Sequence, residues 1–215
     1  QAQAEAALSA PEAKEVFRND KYSKFDVVLP QKVRVELICP ATERDAEKYA
    51  RQDFHLVRET PEIYASVTAP FVAAIPEKAI AWVYKILDGT SEAEHVCHQH
   101  AEYLLVKDYK WIDEDRREDM HLLGIAKDRG LRSLRDLRGE HLPMLEDMRE
   151  SALRTLREKW GIAPSQVRAY LHYVPTFWHL HVHFDHVSGP SPGHTHHAER
   201  AHLLDDVIDA LRRDP

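Results

Sequence analysis

Cysteine is nearly missing. Cys39 and Cys97 are the only two in 215 residues and lie far apart, so no disulfide framework is implied and a reducing compartment is expected. Long apolar runs are missing as well. None approaches the roughly 18 residues that cross a bilayer, and no signal-peptide pattern opens the chain. Nor is there a basic excess, because 29 Lys and Arg face 36 Asp and Glu for a net charge of −7. A protein that tracks long nucleic acid needs a cationic surface, so a phosphate ligand here is expected to be small and locally bound. No internal repeat and no low-complexity linker divides the chain. It begins with Gln1 rather than Met, which reads as a trimmed N-terminus.

What is present suffices for a sizeable core, since 43% of the residues are hydrophobic. The first residues, QAQAEAALSAPEAKE, read as a mobile leader or short helix. KFDVVLP and KVRVELICP read as two strands joined by a turn at Pro30. ATERDAEKYARQDFHLVRET reads as a helix with Thr42 as N-cap, and with Asp45 three residues on there is no full capping box. A boundary falls near residues 50–56, giving a small N-terminal domain (1–52) and a larger C-terminal one (53–215). TPEIYASVTAPFVAAIP is loop-like. PEKAIAWVYKILDG is a helix started by Pro76 and stopped by Gly89, with Ile80, Val83, Tyr84 and Leu87 on one stripe and Trp82 roughly opposite. Two helices follow, over 113–129 and 140–160. The second carries Leu142, Leu145, Met148, Leu153, Leu156 and Trp160 near one face and ends at Gly161. QVRAYLHYV and FWHLHVHF both alternate, as adjacent antiparallel strands or a hairpin would.

Histidine is abundant, at 15 residues. On a strand of period two, Trp178, Leu180, Val182 and Phe184 face a core, and His179, His181 and His183 line the other face about 6.6 Å apart. His172 on the neighbouring strand can join them. Three readings compete for this row. It is a solvated polar face, a metal site, or a nucleophilic site in which one imidazole attacks phosphorus while its neighbours fix its tautomer and donate hydrogen bonds. HVCHQH (95–100) and GHTHH (193–197) have metal-like composition but no standard ligand spacing.

His179-Leu180-His181-Val182-His183-Phe184 resembles the histidine-triad motif, departing from it at Asp185, where an apolar residue is usual. YLHYVPTFWHLHVHF, FRNDKYS, CPATERDAEKYARQDFHLVRET, WVYKILDG, DYKW, RGLRSLRDLRGEHLPML and ERAHLLDDVIDAL together resemble the scavenger mRNA decapping branch of that superfamily, in order from about residue 17 to 212. The resemblance implies an α+β protein: a histidine-triad antiparallel sheet with helices, plus a small N-terminal α+β domain that exchanges strands in a homodimer. It implies hydrolysis of 7-methylguanosine-capped dinucleotides and short capped RNA, in cytoplasm and nucleus, through a covalent histidine intermediate and with no metal or other cofactor. His181 matches the nucleophile, His179 and His183 its supporting pair, and His172 a further active-site histidine. Trp82 matches the aromatic that stacks on the methylated guanine. Glu92, Asp108 and Asn19 match contacts to the base and its pocket. Lys48, Lys110 and Arg200 match residues near the triphosphate. The alternatives are a histidine-triad hydrolase of dinucleoside polyphosphates and a cap-binding module of weak catalysis. Thr176 and Phe177 stand where relatives carry Ser and Tyr, so a hydroxyl contact is expected to be lost. The family continues beyond Asp214-Pro215, and the N-terminal sheet is expected to be incomplete.

Overall fold

The computed structural model describes residues 13–19, 22–28, 32–50, 53, 55–109, 111–189 and 196–214, and it divides into units of residues 1–56 and 57–215. In the first unit β1 (Lys14–Asn19), β2 (Tyr22–Val28) and β3 (Lys32–Ile38) form an antiparallel sheet in the order β1-β2-β3. β1 takes in Lys14 and Glu15, which sequence reading had left to the leader. Its pairing with β2 shifts register between Glu15 and Phe17. Helix α1 (Glu43–Tyr49) is much shorter than expected, and its N-terminus does carry a capping box. The Asp45 carboxylate accepts from the Thr42 backbone N–H at 2.8 Å, while Thr42 Oγ1 accepts from the Asp45 N–H at 3.3 Å. Aspartate thus substitutes for the longer Glu or Gln usual at that position.

The second unit begins with a helical stretch where a loop was expected. Thr60 caps α2 (Pro61–Ile63), with Pro61 in the first turn, where a missing N–H costs nothing. A π-helical turn over Tyr64–Thr68 leads into α3 (Ala69–Ala74). Helix α4 (Ala81–Leu87) follows, with Gly89 past its end at φ +70. The six-stranded antiparallel sheet has the order β4-β5-β6-β8-β7-β9. Its strands are β4 (Val96–Gln99), β5 (Tyr103–Lys107), β6 (His121–Ala126), β7 (Val167–His172), β8 (His181–His186) and β9 (Ala201–Leu203). Helices α5 (Leu142–Trp160) and α6 (Leu204–Arg213) complete the unit.

β6 occupies the segment read as a helix over 113–129. The run His-Leu-Leu-Gly-Ile-Ala is apolar on both faces because the strand is central and covered twice, so no period of two is visible. Leu122 and Ala126 join Tyr103, Leu105, Val182 and Phe184 in a core under α5, which contributes Met144, Leu145, Met148, Ala152 and Leu156. Leu153 is less buried than these, so the stripe on α5 is rotated slightly from the sequence reading. Leu123 and Ile125 face the other way, packing with Leu104, Val106 and the α4 residues Val83, Tyr84 and Ile86. Gly124 permits the close approach of α5, since a Cβ there would lie 2.5 Å from Met148 Sδ. Gly161 ends α5 with φ +66, its N–H donating to the Arg157 carbonyl at 3.0 Å.

Candidate active site

β8 sets out the histidine row through its alternation. Val182 and Phe184 enter the core beneath α5, so His181, His183 and Asp185 turn to the opposite face. Register sets their neighbours: Ile125, Leu123 and His121 of β6 lie opposite His181, His183 and Asp185, and Tyr170 and Arg168 of β7 lie opposite His183 and Asp185. The row is not solvated, because His179, His181 and His183 are 0%, 4% and 9% exposed. Water exclusion comes from α4 and from the 173–180 connection.

His179 does not belong to the strand. It sits in the turn before β8, and its Nε2 bonds the Ala126 carbonyl at 2.6 Å. Its own carbonyl lies 2.7 Å from His181 Nδ1. A carbonyl only accepts, so Nδ1 of His181 carries the hydrogen and Nε2 keeps its lone pair. The sequence suggested that a flanking imidazole fixes this tautomer; the His179 backbone carbonyl does so instead. Burial pulls the His181 imidazole down to about 4, and burial lowers His179 as well. His181 is thus neutral at pH 7 with Nε2 unprotonated, as a nucleophile requires. The His183 ring lies 4.8 Å from His181 and 4.5 Å from His172, between centroids.

The connection between β7 and β8 is held from several sides. Leu180 N–H donates to the Leu131 carbonyl at 2.8 Å, and Arg132 Nε donates to the Trp178 carbonyl at 2.7 Å. Tyr173 donates to Glu59 at 2.6 Å, and Glu59 also pairs with Arg135. Phe177 is placed by this frame parallel to the His181 ring, with centroids 3.9 Å apart and planes 13° from parallel. Its other neighbour is Trp82, edge-on at 4.8 Å. Trp82 is 43% exposed on α4, whereas Val83 and Ile86 beside it are buried. Phe177 thus links the exposed indole to the candidate nucleophile.

The other expected residues are distributed as follows. Glu92 follows the Gly89 turn in a left-handed conformation, φ 55, with its carboxylate 3.8 Å from His95 Nδ1. Asp108 follows β5 and is buried, with its carboxylate 3.5 Å from Nδ1 of His121. Arg200 donates to Thr176 Oγ1 at 3.2 Å, so the threonine keeps a hydroxyl contact at this position. Nε of Arg200 is buried with no hydrogen bond among the described residues, a donor suited to a phosphate oxygen. Asn19 ends β1 and Lys48 lies in α1, but their side chains, and the whole of Lys110, lie outside the described residues. Of the expected set, the structure gathers His172, His179, His181, His183, Trp82 through Phe177, and Asp108 through His121. Sequence reading missed His121, whose Nε2 is 3.1 Å from Nδ1 of His183. Recognising β6 as a strand was the signal that would have found it. Among the described residues, no three His, Cys, Asp or Glu side chains are disposed to hold a metal. No described helix is long and apolar enough to cross a membrane.

Residues 81–199 match the protein family described as scavenger mRNA decapping enzyme C-term binding. The chain is 38% identical to the m7GpppX diphosphatase of Bos taurus over 99% of its own length and 64% of that protein. Against the m7GpppX diphosphatase of Ascaris suum it is 36% identical over 98% of this chain and 71% of the relative. Against that of Schizosaccharomyces pombe it is 36% identical over 85% and 61%. Among solved structures, the aprataxin ortholog Hnt3 in complex with DNA superposes with a TM-score of 0.37 at 17% identity, covering 50% of this chain and 60% of the other.

Proposed function

The chain belongs to the scavenger mRNA decapping enzyme family, and from that premise we propose that it hydrolyses 7-methylguanosine-capped dinucleotides and short capped RNA, releasing 7-methyl-GMP. The observation that carries this reading is the state of His181: buried, neutral, and held through Nδ1 so that the Nε2 lone pair is available. Nε2 attacks the phosphorus next to the methylated nucleoside. An N–P bond forms, the P–O bond to the bridging oxygen breaks, and the electron pair leaves on the departing nucleoside diphosphate, whose oxygen takes up a proton. Water then attacks the same phosphorus, breaks the N–P bond and returns the imidazole. His183 and His172 flank the nucleophile and supply hydrogen bonds to phosphate oxygens or the leaving group. Arg200, Lys110 and Lys48 neutralise the triphosphate.

The methylated guanine carries positive charge, so stacking on the exposed Trp82 gains cation–π attraction as well as dispersion. Glu92, Asp108 and Asn19 recognise the base and its pocket, a carboxylate suiting both a guanine edge and a cationic ring. We read the N-terminal unit as a lid carrying Asn19 and Lys48, in a homodimer with exchanged strands. β1 and β3 are each paired on one side only among the described residues, leaving edges that further strands can take. Cys39 and Cys97 are free, which suits the reducing cytoplasm and nucleus.

One assay tests the reading. Capped dinucleotide, its unmethylated analogue, diadenosine tetraphosphate and a capped RNA of increasing length are compared, each with and without excess EDTA. The expected order puts the methylated dinucleotide first, with a steep fall as the RNA lengthens and no effect of chelator. Preference for diadenosine tetraphosphate would move the protein to the dinucleoside polyphosphate hydrolases. Binding without turnover would make it a cap-binding module. Loss in EDTA with rescue by one metal would replace the nucleophilic scheme.

A further inference from the structure

Asp185 is where the triad motif departs from its usual apolar residue, and the side chain is surrounded by donors. Tyr170 donates its O–H to Asp185 Oδ2 at 2.6 Å. Burial first, and the neighbouring carboxylate second, push the Tyr170 phenol well above its usual range, so it remains a donor. His196 Nε2 lies 2.9 Å from the same oxygen, and Arg168 Nη1 lies 3.0 Å from His196 Nδ1. A guanidinium cannot accept. His196 Nδ1 therefore accepts from Arg168, and its Nε2 carries the hydrogen that Asp185 receives.

The other oxygen, Oδ1, lies 3.3 Å from Nε2 of His121. It is buried and makes no hydrogen bond among the described residues, so the approach is too oblique for one. Its negative charge nevertheless favours a hydrogen over a lone pair on that nitrogen, and it lies nearer to Nε2 than Asp108 does to Nδ1. The same Nε2 is 3.1 Å from Nδ1 of His183, with the rings nearly parallel at 17°. On the far side of His121, Nδ1 faces Asp108 Oδ2 at 3.5 Å. A donor at His121 Nε2 makes His183 Nδ1 an acceptor, which leaves the His183 hydrogen on its Nε2.

We propose that Asp185 and His121 are positioning residues that hold His183 as its Nε2–H tautomer, a hydrogen-bond donor for the phosphate chain or leaving group beside His181. The inference rests on the hydrolase reading for the purpose of that donor, but not for the tautomer itself. Each half of the site then has its own tautomer lock. The His179 carbonyl keeps Nε2 of His181 unprotonated, and the Asp185–His121 pair keeps Nε2 of His183 protonated. Two neighbouring imidazoles of opposite tautomer form a nucleophile and a donor.

Ring nitrogen NMR on the intact protein tests this without substrate. The expected spectrum shows His183 protonated at Nε2, with His121→Phe and Asp185→Asn each giving a tautomer mixture. Wild-type His183 protonated at Nδ1 would overturn the proposal, whether or not the protein cleaves a cap. Kinetics on a capped dinucleotide supply a second readout. Asp185→Asn should lower kcat by about tenfold and leave KM within about twofold. In a His183→Asn background the same change should cost nothing further, because the residue it acts through is gone. An equal tenfold loss in both backgrounds would show that Asp185 acts independently of His183, and the proposal would fall. Absence of turnover in the wild type would refute the hydrolase reading alone, since the tautomer would still decide the positioning claim.

Discussion

Replacing His181 by Asn removes turnover of a capped dinucleotide, by at least about four orders of magnitude, and leaves binding within about twofold of wild type. Asparagine keeps the turn intact, because its amide N–H can donate to the His179 carbonyl where Nδ1–H now does. It has no lone pair able to form the N–P bond. The groups read as holding the base, Trp82 and Glu92, lie on other elements and are untouched. Single-turnover kinetics and ligand titration on the same sample check both halves, and normal turnover would sink the assignment. The variant also has a signature in stability. The His181 imidazole sits near 4 when folded against 6.5 when free. The unfolded chain therefore binds its proton first, and stability present above pH 6.5 is lost progressively as the pH falls toward 4. At pH 5 the loss from this group is about 2 kcal/mol. Denaturant midpoints at pH 7.5 and pH 5 should converge more in His181→Asn than in wild type, leaving the smaller sensitivity that His179 contributes in the same direction.

Trp82→Ala should raise KM for the capped dinucleotide by about 5- to 150-fold, the equivalent of the roughly 1–3 kcal/mol that stacking on one base provides. The fold should survive, because α4 is anchored by Val83, Tyr84 and Ile86 rather than by the half-exposed indole. Discrimination should suffer more than affinity. The unmethylated analogue lacks the cationic ring, so the preference for the methylated substrate should shrink toward unity. Steady-state kinetics with both substrates separates the two effects. An unchanged KM would place the base elsewhere. Phe177 complicates the variant in an informative way, since it loses its edge-on neighbour and is free to reorient over His181.

The sequence was most legible where one face of an element is buried and the other is not. β7 and β8 alternate and α5 repeats at helical spacing; β7 and α5 were found with nearly correct limits, whereas β8 starts four residues later than the alternation suggested. β6 was lost for the opposite reason. Covered by α5 on one face and α4 on the other, it is apolar at every position after His121, so no alternation marks it as a strand. His121 was lost with it. The helices over 61–74 were hidden because exposed Val67 and Phe71 interrupt any polar face. The candidate nucleophile and its flanking histidines stood out from their spacing, whereas the contact of the His179 carbonyl could not, since a backbone atom leaves no residue-type signal. Asp185 was visible only as an exception to a pattern. Its meaning came from His121, 64 positions earlier in the chain and directly opposite it across the sheet.

β8 lies between β6 and β7, away from both margins of its sheet. Backbone hydrogen bonds in such a strand break only when neighbouring strands separate, so its amides belong to the part of the molecule slowest to exchange with solvent. Trp82, outward on the short helix α4, and Phe177, on the connection before β8, stand outside that ladder. The candidate nucleophile thus sits in the most persistent segment of the fold, and the surface proposed to take the base lies outside it. Under mild denaturation, affinity for the base should fade first, while a pre-assembled imidazole row endures until the whole sheet comes apart.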